Sequence, residues 1–86
     1  MKLIITIFPD SFTDAVSVAL TTNKFRVTQI ASTGGFLRKG NSTLLIGVED
    51  EQVQDALKVV KNNIDLTNSG QKGVAFVINV DEYVHF

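Results

Sequence analysis

At 86 residues, 44% apolar and 20% charged, the chain has the size and composition of one globular domain, 1–86, and not of a disordered segment. Eight basic against nine acidic residues leave a net charge of −1, which disfavours a sequence-independent nucleic-acid binder. The lack of cysteine excludes disulfide scaffolds, thiol catalysis and thiolate metal sites, and no apolar run reaches the length of a membrane span.

Residues 2–8 are rich in isoleucine and almost continuously apolar, which predicts a strand. Pro9-Asp10-Ser11 breaks it. The run is too short for a signal peptide, so a cytoplasmic placement is expected. Asp10 or Ser11 is suited to N-cap a helix, and Ser11 with Asp14 approximates a capping box. Phe12, Ala15, Val16, Ala19 and Leu20 recur at helical spacing and predict an amphipathic helix over 11–22, with Asn23 as its C′ residue. Residues 25–32 predict a second strand, with Phe25, Val27, Gln29 and Ala31 on one face and Arg26, Thr28, Ile30 and Ser32 on the other. Residues 42–48 predict a third, with Gly47 in its interior, where a strand glycine marks close approach of a backbone or a ligand. Glu49-Asp50-Glu51 opens a second helix with acids at its positive end, Val53, Ala56, Leu57 and Val60 form its apolar stripe, and Asn62-Asn63 ends it. A polar, turn-rich loop over 65–73 and a fourth strand over 74–80 follow. The tail 81–86 carries Tyr83, His85 and Phe86.

The order β-α-β-β-α-β predicts a ferredoxin-like α+β domain, a four-stranded antiparallel sheet with both helices on one face. PII proteins share it. Two helices cover one face, yet the first and fourth strands are apolar on both. The second face therefore calls for self-association. Periodicity admits both a trimer and a sheet-to-sheet dimer.

The stretch richest in chemistry is 31–43. Gly34, Gly35 and Gly40 free the backbone there. Ser32, Thr33, Arg38 and Lys39 suit a phosphate, Phe36 offers a face for a base, and Asn41 carries the donor and acceptor that read an adenine edge. A hairpin loop of ordinary turn residues is the alternative. No catalytic constellation accompanies it. The glycines lack P-loop spacing, and His85, the only histidine, has no second ligand at metal spacing. Asp14, Asp50, Glu51 and Asp55 read as helix-start acids on solvated faces. The third strand has no aromatic residue, which removes the stacking platform an RNA-recognition domain needs. A non-enzymatic protein that takes a small nucleotide is the expectation.

Phe25-Arg26-Val27-Thr28, then Thr33-Gly34-Gly35-Phe36-Leu37-Arg38, then Gly40-Asn41-Ser42-Thr43 and Gly47-Val48 resemble the bacterial cyclic-di-AMP receptor family, small PII-like signalling proteins. The opening Met1-Lys2-Leu3-Ile4-Ile5 and the end over 80–86 resemble it as well. The resemblance implies a second-messenger receptor with no cofactor: a cytoplasmic homotrimer binding cyclic-di-AMP between subunits. By that resemblance Gly34, Gly35, Phe36 and Leu37 offer amides or packing around base and phosphate. Arg26 neutralises a phosphate, or else forms a subunit salt bridge. Thr28 and Asn41 bond adenine, unless Asn41 is only a turn residue. Gly47 leaves room, and Tyr83 and His85 reach in from the tail. The family's long insertion between the second helix and fourth strand is reduced here to 65–73, which predicts an open site of modest affinity that leans on the tail. The competing function is a PII-like interaction or structural module with a vestigial or altered site. No membrane or polymeric nucleic acid is implied, and the downstream protein partner is not named by the sequence.

Overall fold

The computed structural model describes residues 1–32, 40–64 and 73–86. β1 (Lys2–Pro9) passes through a 3-10 turn at Asp10–Phe12 into α1 (Thr13–Thr22). β2 (Arg26–Ser32) and β3 (Asn41–Val48) follow, then a second 3-10 turn at Asp50–Gln52, α2 (Val53–Ile64) and β4 (Val74–Asn79). The strands form one antiparallel sheet in the order β2-β3-β1-β4. This is the expected ferredoxin-like α+β arrangement, with β1 and β3 inside because each crossover helix skips one strand position. Among the described residues no helix is long and apolar enough to cross a membrane.

The core lies between the helices and one sheet face. Ile4 and Phe8 of β1, Leu44, Ile46 and Val48 of β3, Val16 and Leu20 of α1, and Ala56 and Val60 of α2 are buried. The strand members alternate and the helix pairs are four apart, so each element turns one stripe inward. Thr6 is fully buried in the same layer, and its hydroxyl has no hydrogen-bond partner among the described residues. Helix cover stops short of the edge: Val74, Phe76, Val77 and Ile78 of β4 are all exposed. The opposite face of β1, with Leu3, Ile5 and Ile7, is half-buried within the chain.

Three local expectations need correcting. Neither Asp10 nor Ser11 caps α1. The helix starts at Thr13 with Phe12 before it and no side-chain cap, because the Asp10 carboxylate instead accepts a hydrogen bond from Ser42 at 2.5 Å. The left-handed residue after α1 is Lys24, φ 69°, one position beyond Asn23. Lys24 donates to the Thr21 carbonyl and Phe25 to that of Leu20, each at 2.9 Å, which is the Schellman closure; the Asn23 amide side chain meanwhile satisfies Ala19 at 2.7 Å. Finally, β2 does not alternate strictly to its end. A register shift between Gln29 and Ala31 leaves Ile30 as the extra residue, so Ala31 pairs with Thr43 and Ser32 with Ser42. α2, by contrast, opens as its acids suggest, and Glu49 and Gln52 also form a reciprocal capping box, with the Glu49 amide donating to Gln52 Oε1 at 2.9 Å.

Candidate functional site

The open face of the sheet is built in rows across the antiparallel ladders. Arg26, Gly47, Leu3 and Ile78 are register partners in one row, and Thr28, Leu45, Ile5 and Phe76 in the next. Directly paired residues share a face, so the β2 side of these rows is polar and the β1 side apolar. The chain end closes over them. Val80 donates its amide to the Met1 carbonyl at 3.2 Å, holding the start of the tail against the start of β1 and bringing Tyr83 to the rows. Lys2 Nζ bonds the Asn79 side chain, and the N-terminal amine pairs with Asp50 at 3.2 Å.

The result is a cleft of about 580 Å³ lined by Arg26, Thr28, Gly47 and Tyr83, with Met1, Lys2, Leu3, Leu45 and Val80. Such a volume suits a small ligand, with an apolar floor and a few placed polar groups. A Cβ built on Gly47 would meet no heavy atom within 4 Å. The glycine therefore does not serve close packing within the chain; its missing side chain is space added to the cleft. Arg26 is exposed and has no ion pair or hydrogen bond among the described residues. An apolar wall beside a free guanidinium fits an anionic ligand that also carries flat rings.

The cleft thus unites four of the ten residues singled out from the sequence. His85 does not line it, but its ring lies 6.5 Å from that of Tyr83, tilted by 34°, and both are exposed. Asn41 is elsewhere. It opens β3 opposite Pro9, six residues from Gly47, which is roughly 20 Å at strand rise. Gly34, Gly35, Phe36 and Leu37 lie outside the described residues, as do 65–72 of the shortened loop. Leu3, Leu45 and Val80 were not singled out; the two-sided apolarity of β1 does not say which of its faces the helices leave open.

Two other features frame the site. A smaller groove of about 250 Å³ runs between α2 and β4 past Phe8, Leu57, Val60 and Val74, and it contains none of the candidate residues. Among the described residues no group of His, Cys, Asp and Glu is placed to hold a metal.

The family model described as cyclic-di-AMP receptor matches residues 1–84. Among solved structures, the chain is similar to a crystal structure of a functionally unknown protein from Pediococcus pentosaceus ATCC 25745. The two share 28% identity with a TM-score of 0.79, over 99% of this chain and 96% of that one.

Proposed function

The chain belongs to the cyclic-di-AMP receptor family, and from that premise we propose that it is a non-enzymatic cyclic-di-AMP receptor whose sites form between the subunits of a cytoplasmic homotrimer. The observation that carries the reading is the unfilled Gly47 position beside Arg26 and Thr28, with Arg26 making no ion pair or hydrogen bond among the described residues. Arg26 holds a phosphate, a charge-assisted contact worth roughly 1.5–3 kcal/mol. Thr28 bonds adenine, and a ring of the ligand lies on the apolar floor beside Tyr83. The loop amides of Gly34 and Gly35, with Phe36 and Leu37, belong to the same proposed set, and so does His85 beside Tyr83.

Two observations support sites shared between subunits. The open face keeps Phe76 and Ile78 exposed, which a second copy would cover. Asn41 and the Arg26–Gly47 cleft sit at opposite ends of that face, and a neighbouring copy can bring one subunit's Asn41 toward another's cleft. Calorimetry and sedimentation equilibrium test both parts. Cyclic-di-AMP should bind at one site per subunit, ahead of cyclic-di-GMP, to a species three times the 9.4 kDa chain. Trimers mixed from Arg26→Ala and Asn41→Ala subunits should recover a fraction of sites with wild-type affinity, whereas every site of either pure variant is weakened. No heat with millimolar cyclic-di-AMP would leave an interaction module with a vestigial site.

A further inference from the structure

We propose that a hydrogen-bond chain from Thr13 through Ser42 to Asp10 is a positioning device that aims Asn41, setting base discrimination and not phosphate affinity. The inference rests on the adenine role proposed for Asn41.

Ser42 is 1% exposed, on the helix-facing side of β3. Its hydroxyl donates to Asp10 Oδ1 at 2.5 Å. A serine hydroxyl has one proton, so Thr13 Oγ1, 2.6 Å away, must donate to Ser42 Oγ. The order is therefore Thr13 to Ser42 to Asp10, ending on a carboxylate, the stronger kind of acceptor. Asp10 acts a second time through its backbone, its amide donating to the Gly40 carbonyl at 2.9 Å. Asn41 is thus held on both sides. Gly40 before it and Ser42 after it are each tied to the same aspartate.

Consecutive strand residues point to opposite faces, so fixing the Ser42 side chain inward fixes Asn41 outward, onto the face that carries Arg26 and Gly47. Asn41 sits opposite Pro9 at a non-hydrogen-bonded position of the antiparallel ladder, next to the rung in which the Asp10 amide donates to Gly40. The side-chain bond from Ser42 to Asp10 adds a second tie, on the other side of Asn41, to that backbone rung. Asn41 itself is exposed, and the clamp leaves it so.

The test uses the full-length protein and two probes, cyclic-di-AMP and cyclic-di-GMP, with calorimetry on wild type, Ser42→Ala, Thr13→Val and Thr13→Ser. Thr13→Val keeps the shape and removes the donor, and Thr13→Ser restores the donor. Ser42→Ala and Thr13→Val are expected to weaken cyclic-di-AMP about tenfold, the scale of one hydrogen bond, with a smaller effect on cyclic-di-GMP. The preference for adenine then falls, and Thr13→Ser recovers it. An unchanged preference in both Ser42→Ala and Thr13→Val overturns the proposal, as does an equal loss for both dinucleotides, which marks residues that only stabilise the fold. Wild type that binds neither dinucleotide rejects the receptor reading itself and this inference with it.

Discussion

At the Gly47 end of the open face, a strand residue has no side chain, and a Cβ placed there would meet no heavy atom within 4 Å. At the Asn41 end, two successive neighbours of the exposed residue are tied to Asp10 by bonds of 2.5 and 2.9 Å. Both ends belong to the same strand and face the same side of the sheet. One end provides volume, with the Arg26 guanidinium beside it; the other provides direction, through a buried polar chain. A protein that must both admit a ligand and tell one base from another needs the two, and β3 keeps them roughly 20 Å apart. Gly73 sharpens the contrast. A Cβ there would lie 2.7 Å from the Ile7 carbonyl oxygen and 2.9 Å from Phe8 Cβ. One glycine leaves a space empty, whereas the other lets two backbones meet.

The largest expected effect probes the empty space. Gly47→Val should weaken cyclic-di-AMP by more than about a hundredfold, roughly 3 kcal/mol, by filling the cleft. It should leave the melting temperature unchanged or slightly raised, since a β-branched residue replaces glycine in a strand. Calorimetry beside thermal melting separates the two, and full affinity in the variant would show that the Gly47 space is not where the ligand sits. At the other end, Asn41→Ala should cost about 1–3 kcal/mol of cyclic-di-AMP binding, the value of a bidentate base contact. Arg26→Ala should lose a similar amount from both dinucleotides. If the two variants change base preference alike, the division between the ends fails.

The contrast between the glycines predicts the next effect. Gly73→Ala should destabilise the fold by about 1–3 kcal/mol, because the added methyl meets backbone atoms that cannot rotate away. Urea denaturation measures it, and a neutral result would mean that β4 shifts easily. The smallest effect belongs to the core beneath the face. Thr6→Val should stabilise by about 1 kcal/mol, since it replaces an unpartnered buried hydroxyl with a methyl group of similar size. Loss of stability in that variant would show that the hydroxyl has a partner after all.

Some of this was legible along the chain because it depends on neighbours in sequence. The helix stripes at four-residue spacing and the two-sided apolarity of β1 identified the architecture and that a second face is left uncovered. Period two in β2 placed Arg26 and Thr28 together, and the interior glycine of β3 marked the position they flank. Other features escaped for physical reasons. Asp10 carries the side chain of a helix cap, yet its carboxylate is taken by Ser42, 32 residues away, and propensity has no access to such a contact. One extra residue at Ile30 leaves the local alternation looking regular while shifting everything after it. Lys24 in the left-handed region follows from where α1 closes, which its residue type does not favour.

The sequence by itself determined the element order, the inward stripes and the residue types a cyclic dinucleotide would need, since each follows from periodicity or side-chain chemistry. Only the tertiary structure decided how those residues are grouped. Strand pairing put Arg26 opposite Gly47 and the tail's Tyr83 beside them, while the straight run of β3 carried Asn41 to the far end. A strand is rigid and extended, so residues close in sequence are held apart, and residues far apart in sequence meet only where the ladders align them.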